Sequence, residues 1–295
     1  MSKVIVFGGS GFLGSHVADK LSSSGHQVTI FDIKDSPYLK SNQKIIINDI
    51  VNLKEDDFLF RGINYIYNFA GISDIEEAKS NPLGTIKSNI LNNMILLNAC
   101  KFNKIKRYIF ASSVYANSQS GNFYSISKKS CEEYIKTFSS LHNLEYTILR
   151  FGSLYGQRSD DTNGIRKILK NAIFNENISY SGNQQAVRRY INVLDAAKAC
   201  VNTLRAKYKN KHVNITGNKK IKVEQFLKIL SKILKISKKV KFLNKKTTGH
   251  YNITPFTFKP KKGQNFKYKP SVNFYNEILK LVKEIKNEKR FKNFN

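Results

Sequence analysis

A tyrosine and a lysine four residues apart have the types and spacing that proton transfer requires. The segment FYSISKK holds Tyr124 and Lys128, and on a helix this spacing puts both side chains on one face. A free phenol has a pKa of about 10, but a nearby ammonium stabilises the phenolate and lowers that pKa. Ser113, at the end of the segment FASS, is placed to bind the same substrate oxygen, and we prefer it to its neighbour Ser112. Ser113, Tyr124 and Lys128 are therefore the candidate catalytic residues.

A glycine-rich turn near the start of the chain fits a dinucleotide. Gly8, Gly11 and Gly14 follow the apolar run VIVF and open a helical pattern, so backbone N–H groups and the helix N-terminus face a pyrophosphate. Asp32 closes the next strand at the offset expected for a carboxylate that binds the adenosine ribose. It favours NAD over NADP, although Lys34 lies nearby. A purely structural turn is the alternative.

Together the two motifs predict alcohol–ketone hydride chemistry, in which the cofactor takes the hydride and the phenol takes the proton. Without the glycine turn, Tyr124 and Lys128 would be read as an ordinary solvated pair on a helix.

The elements that must position these residues alternate between strand and helix in the first half of the chain. β-branched and aromatic runs end at small or polar residues at 4–9, 27–32, 44–49, 65–71, 107–113 and 146–152. Helical patterns lie between them at 12–24, 75–101 (broken at Pro82) and 124–142. This alternation predicts an α/β fold with a Rossmann-type, doubly wound parallel sheet. We assign 1–156 to an NAD-binding domain and 157–295 to a smaller, mixed substrate lobe, some of whose segments return to the sheet. Residues 244–271 are expected to be irregular, and 273–289 to form a helix.

Composition narrows the class of protein. The 295 residues carry a formal net charge of +29, but the lysines are spread along the chain, so we expect no nucleic-acid partner. No run reaches the roughly 20 apolar residues of a membrane span, and the start is not a signal peptide. Cys100, Cys131 and Cys200 are widely spaced, which fits reduced thiols in the cytoplasm and no metal site.

Further motifs resemble one family over most of the chain. They are GGSGFLG (8–14), NFAG (68–71), Asn89, FASS followed by YSISK, LRFGSLYG (149–156) and RRYINVLDAAKA, which begins at Arg188. In this combination the chain resembles the extended short-chain dehydrogenase/reductases of the NAD-dependent epimerase/dehydratase family, which includes UDP-glucose 4-epimerase.

The resemblance implies contacts with NAD and with a nucleotide-sugar. The implied NAD-binding residues are Gly8, Gly11, Phe12, Leu13, Gly14, Asp32, Asp49, Ile50, Phe69, Ala70, Gly71, Tyr124, Lys128 and Phe151. The implied substrate residues are Ser73, Ser113, Ser153 and Arg188. Asp49 and Ile50 fit an adenine contact or a strand-end cap equally well.

Departures from the family pattern narrow the reaction. Val114 and Tyr115 follow Ser113, where the family's 4,6-dehydratases carry Asp-Glu. The Cys and His of the 3,5-epimerase/reductases are also absent from the matching places. The pattern therefore favours 4-epimerisation, and a keto-reductase, a 4-oxidase or a non-catalytic NAD-binding relative are the alternatives. Ser153 stands where epimerases usually carry Asn, and Arg189 where an aspartate is usual. The resemblance also implies a homodimer, formed through helices at 83–101 and 124–142.

Overall fold

The structure is a computed structural model that describes residues 1–118, 120–175, 178–180, 182–235, 241–242 and 263–292. Its strands are β1 (Lys3–Phe7), β2 (Gln27–Asp32), β3 (Gln43–Ile47), β4 (Tyr65–Asn68), β5 (Arg107–Ser113), β6 (Glu145–Phe151), β7 (Ser153–Tyr155), β8 (Ser179–Tyr180), β9 (Val187–Arg188), β10 (Tyr190–Asn192), β11 (Lys211–Ile215), β12 (Ile221–Lys222), β13 (Lys241–Phe242) and β14 (Gln264–Asn265). Its α-helices are α1 (Phe12–Ser23), α2 (Ile75–Ser80), α3 (Pro82–Thr85), α4 (Asn92–Phe102), α5 (Asn122–His142), α6 (Gly164–Asn175), α7 (Val193–Asn202), α8 (Val223–Leu234) and α9 (Phe274–Lys292).

Eight of these strands form one sheet in the order β14-β11-β6-β5-β4-β1-β2-β3, and every neighbouring pair in it is parallel. Its central strands are apolar on both faces, as in β1, where every residue after Lys3 is buried. Such strands are stable only between two layers of helices. The sheet confirms the predicted Rossmann-type fold.

Two predicted strands end earlier than the sequence indicated. β1 stops at Phe7 rather than residue 9, because Gly8 takes a positive φ of 72° that turns the chain out of the strand. β4 stops at Asn68 rather than residue 71, and Gly71 likewise has a positive φ of 127°. Both turns lie at the carboxyl edge of the sheet, where α/β proteins bind their ligands.

The helical segment at 75–101 breaks where expected. Asn81 leaves the helical region and its side chain accepts from Gly84 N, while Pro82 occupies the first turn of α3. Residues Ile86–Leu91 then form a π-helical turn, which the sequence did not predict. Such turns are frequent at functional sites.

The second half of the chain contributes to two cores. In the lobe, α6, α8 and α9 surround a separate apolar cluster that includes Leu169, Phe226 and Leu281. By contrast, α7 packs against α1, and β11 and β14 extend the sheet. The predicted helix at 273–289 is confirmed by α9. Of the segment expected to be irregular, 244–262 lies outside the described residues, and β14 forms within the rest.

The three cysteines are free and buried, as expected for reduced thiols. Within the described part of the chain, no helix is both long and apolar enough to span a bilayer.

Candidate active site

The structure brings Ser113, Tyr124 and Lys128 together. Ser113 ends β5, and the other two lie one turn apart on the buried face of α5. The Ser113 side chain forms a hydrogen bond with the Tyr124 phenol, and Lys128 Nζ lies 5.9 Å from the centroid of the Tyr124 ring. The three residues are between 6% and 8% exposed, so the cluster largely excludes water.

The electrostatics differ from the sequence prediction. Burial raises the pKa of Tyr124 above its ordinary value, and the hydrogen bond with Ser113 opposes part of that rise. The prediction that Lys128 brings the pKa of Tyr124 below its ordinary value is therefore wrong. Lys128 is buried as well, which lowers its own pKa, and its Nζ donates to Ala111 O at 3.0 Å. Two groups that would be charged in the active form are thus both desolvated.

The choice between Ser112 and Ser113 is explained by their partners. Ser112 Oγ donates to Glu132 Oε1 at 2.5 Å, in a buried contact between β5 and α5. Ser113 instead accepts from Tyr115 N at 3.2 Å and contacts the Tyr124 phenol. Ser112 is therefore held by Glu132, two turns beyond Tyr124 on α5, and Ser113 is the serine that lies beside Tyr124.

Glu132 belongs to a buried network that the sequence analysis missed. Its carboxylate accepts from Arg150 Nε at 2.8 Å as well as from Ser112, and all three side chains are nearly inaccessible to water. Ser112 precedes Ser113, Arg150 precedes Phe151, and Glu132 lies one turn after Lys128. A single carboxylate therefore links the three elements that carry the site. Two features of the sequence could have indicated this network: the four-residue spacing from Lys128 to Glu132, and the single arginine in the apolar run YTILRF.

The glycine turn has the shape of a pyrophosphate cradle. A Cβ on Gly8 would lie 2.6 Å from Ala70 N, and one on Gly14 would lie 2.1 Å from Gly8 O. Neither position accepts a side chain, because Gly8 packs against the backbone just after β4 and Gly14, in α1, packs against Gly8. Gly11 is the N-cap of α1, where backbone N–H groups are available to an anion.

Asp32 is positioned as a ribose-binding carboxylate requires. Its Oδ2 accepts from Ser10 N at 2.9 Å and its Oδ1 from Lys34 N at 3.3 Å. Each carboxylate oxygen keeps a lone pair for a ligand hydroxyl. Together, the turn and this carboxylate fit a dinucleotide.

Other predicted cofactor residues surround the same edge of the sheet. Phe151 pairs with Ser113 across β5 and β6, and its ring lies 6.5 Å from that of Phe69. Asp49 caps a 3-10 turn by accepting from Val51 N at 3.2 Å, so the capping interpretation is confirmed. Its contact with adenine stays a prediction. Of the other predicted residues, Phe12 and Leu13 begin α1, Ile50 begins the 3-10 turn, and Ala70 follows β4.

Asn89, in the π-helical turn, holds the loop after β4 in place. Its Oδ1 accepts from Ile72 N at 2.8 Å, and its Nδ2 donates to Ile72 O and to Ser127 Oγ. Ser127 lies on α5 next to Lys128. This one amide therefore fixes the loop that carries Gly71 relative to α5.

The predicted substrate residues lie on separate elements. Ser73 is exposed in the loop between β4 and α2. Ser153 lies in β7, which pairs with β10, and the buried Arg188 lies in β9, which pairs with β12. Arg189, the departure from the family pattern, donates from Nη1 to the carbonyls of Gly217 and Asn218.

Comparison with known proteins places this site in context. A family model described as NAD dependent epimerase/dehydratase family matches residues 4–216. A Methanocaldococcus jannaschii protein named putative UDP-glucose 4-epimerase is 25% identical over 97% of this chain and 99% of its own length.

Solved structures resemble the whole chain. The UDP-N-acetylglucosamine 4-epimerase from Methanobrevibacter ruminantium M1, in complex with UDP-N-acetylmuramic acid, is 25% identical with a TM-score of 0.84, over 97% of this chain and 99% of that one. The UDP-glucuronic acid 4-epimerase from Bacillus cereus, in complex with UDP-glucuronic acid and NAD, is 22% identical with a TM-score of 0.84, over the same shares. At 22% identity, the similarity to the Bacillus cereus structure shows a shared fold and no more.

Proposed function

The chain belongs to the NAD dependent epimerase/dehydratase family, and we propose that it is a 4-epimerase of a nucleotide-sugar. NAD is the cofactor of this family. The names of the two relatives that are 25% identical, both UDP-sugar 4-epimerases, support this choice of reaction and favour a UDP-linked substrate.

The observation that carries the proposal is the contact of Ser113 with Tyr124, beside Lys128. In this reaction the Tyr124 side chain, as the phenolate, takes the proton of the sugar 4-hydroxyl, while Ser113 Oγ holds the same oxygen. When bound, NAD supplies a hydride acceptor and a positively charged ring. Lys128 keeps a second positive charge at the site, because Ala111 O fixes its ammonium. The 4-keto-sugar must then present its other face before Tyr124 returns the proton.

The binding roles follow the elements that carry the residues. We assign the pyrophosphate of NAD to the turn at 8–14, its adenosine ribose to Asp32, and its nicotinamide to the space beside Phe151 and Lys128. Arg188 would contact the diphosphate of the substrate, since a guanidinium matches phosphate geometry with two parallel hydrogen bonds. Ser73 and Ser153 would contact the sugar.

We also propose that the protein forms a homodimer. Large apolar side chains on the segments expected to mediate it are exposed: Leu83, Ile86, Leu91, Ile126, Tyr134 and Leu141. A concentration of exposed apolar side chains on two helices favours an interface there. Sedimentation of the protein as a monomer at micromolar concentration would contradict the assignment.

Replacement of the phenol tests the catalytic role. We expect Tyr124→Phe to lower kcat by about 10²–10⁴-fold, because the proton loses its acceptor, and to leave NAD affinity nearly unchanged. The matched control is Tyr134→Phe, on the same helix and 43% exposed, which should retain full turnover. The assay follows sugar product and NADH absorbance with a panel of UDP-, GDP- and CDP-sugars.

The outcomes separate the candidate reactions. An epimeric product without net NADH supports the 4-epimerase, whereas net formation or consumption of NADH indicates a 4-oxidase or a keto-reductase. No product and no NADH with any sugar favours a non-catalytic NAD-binding protein. If the Tyr124→Phe variant turns over at the wild-type rate, Tyr124 is not the proton-transfer residue.

A further inference from the structure

A cavity of about 310 Å³ opens on the side of the sheet covered by α7. Its walls are α7, the turn that leads to β11, and the segment that follows β14. Five of its eleven lining residues are cationic, compared with 50 of 295 in the whole chain. They are Lys198, Arg205, Lys207, Lys267 and Lys269, and all five are exposed.

This cavity is separate from the reaction site. Arg107, the first residue of β5, donates from Nη1 to the carbonyls of Thr203, Leu204 and Arg205. These carbonyls belong to the stretch that enters the cavity wall, whereas Ser113 is the last residue of the same strand. At a rise of about 3.3 Å per residue, the two ends of β5 are roughly 20 Å apart.

In the part of the chain that the structure describes, no carboxylate forms an ion pair with any of the five cations. The only acidic residue in the lining, Asp195, is 4% exposed, and its Oδ1 is bound by the backbone N and the hydroxyl of Ser271. Lys207 instead lies over the Tyr208 ring, 5.1 Å from its centroid. Like charges around one cavity repel each other, so a bound anion would stabilise this arrangement.

The chemistry of the lining indicates which anion. Lysine ammoniums offer three donors each and bind phosphate as point charges, and the volume is that of a small-molecule pocket. Tyr268 adds a phenol that stays protonated at neutral pH, because burial, helped by Asp195, raises its pKa to about 12. This hydroxyl is therefore a donor to an anion.

We propose that this cavity binds a ligand with clustered phosphate groups, at a site that is independent of NAD and of the sugar nucleotide. A small soluble phosphate ester and a phospholipid headgroup share this chemistry. The proposal does not depend on the epimerase assignment, because none of the lining residues is a predicted catalytic, cofactor or substrate residue.

Charge reversal at the cavity tests the site. Inorganic pyrophosphate is titrated calorimetrically into the full-length, NAD-saturated protein. We expect Lys198→Glu combined with Lys267→Glu to weaken one binding event by about tenfold or more, because two attractions become repulsions. The control, Lys44→Glu combined with Lys54→Glu, changes the net charge equally at two exposed lysines outside the cavity and should keep that event. NAD affinity should be the same in all three proteins.

A second arm distinguishes the two sources of phosphate. Co-sedimentation with phosphatidylcholine vesicles that contain phosphatidylserine, lost in the cavity variant and kept in the control, indicates a lipid headgroup. Pyrophosphate binding without vesicle binding indicates a soluble ligand. The proposal is overturned if neither probe binds the wild-type protein, or if the cavity and control variants lose binding equally.

Discussion

Two buried arginines, one in each half of the molecule, are paired with carboxylates in different ways. The Arg150 and Glu132 side chains are 3% and 4% exposed, respectively, so this pair is closed to water. The Arg166 side chain is also only 4% exposed, but its three partners are 24%, 45% and 60% exposed: Glu284, Glu288 and Asp161. In the half that holds the candidate site, the described residues pair Arg150 with one buried carboxylate, whereas in the lobe several partly exposed carboxylates share the charge of Arg166.

The difference predicts unequal consequences of losing a partner. A buried charge without its counter-ion cannot be rehydrated and destabilises the fold by several kcal/mol, whereas exposed partners contribute little each. The half that holds the candidate site would then be rigid around Glu132, while the ion pairs between α6 and α9 are individually replaceable.

The largest effect is expected at Glu132. Glu132→Gln should lower the free energy of unfolding by roughly 3–5 kcal/mol, because Arg150 keeps its charge in a site without water. Denaturant unfolding of the NAD-free protein measures the change. Glu133→Gln is the matched control, since the neighbouring carboxylate is 61% exposed and paired only with Lys136 in the described structure; we expect a loss of about 1 kcal/mol or less.

A double replacement separates the cost of a buried charge from the cost of poorer packing. Glu132→Leu combined with Arg150→Met removes both charges while retaining apolar volume, and should recover most of the stability lost in Glu132→Gln. Equal losses in Glu132→Gln and Glu133→Gln would remove the distinction between the two halves.

The next effect concerns the pH dependence of turnover. Burial lowers the pKa of Lys128, and the charges of Cys131 and Glu132 oppose that shift. Without the Glu132 carboxylate, the pKa of Lys128 should fall further, so the ammonium is lost at a lower pH. The alkaline limb of the pH–kcat profile should therefore move to lower pH in Glu132→Gln and stay in place in Glu133→Gln. A merely structural role for Glu132 would reduce kcat without moving that limb.

The sequence predicted the positions of the candidate site residues better than their environment. Gly8, Gly14, Tyr124 and Lys128 could be placed because strand and helix periods and the needs of a tight turn are local properties. The pairing of Glu132 with Arg150 depends on how α5 packs against β6, and a local sequence pattern does not predict that packing. The pKa of Tyr124 was mispredicted for the same reason, because spacing reveals a neighbouring charge but not the burial that outweighs it.

The lobe was less predictable than the sheet for a related reason. Its strands β8, β9, β12 and β13 have two residues each, too few to show an alternating pattern. By contrast, its helices α6 and α8 have 12 residues each, which is long enough for an amphipathic period to show in the sequence. The packing of α9 decides which polar residues meet across the lobe. No sequence pattern therefore predicted the carboxylates that surround Arg166.

The smallest effect is expected in that cluster. Glu284→Gln should lower the free energy of unfolding by about 1 kcal/mol or less, because Glu288 and Asp161 still neutralise Arg166. The Glu284 carboxylate also accepts from Arg158 N at 3.2 Å, an interaction that the glutamine oxygen can keep. Glu288→Gln, at the more exposed partner, should change stability even less. If either single variant is as unstable as Glu132→Gln, the three carboxylates act as one unit, and sharing a buried charge among several exposed partners does not protect the lobe.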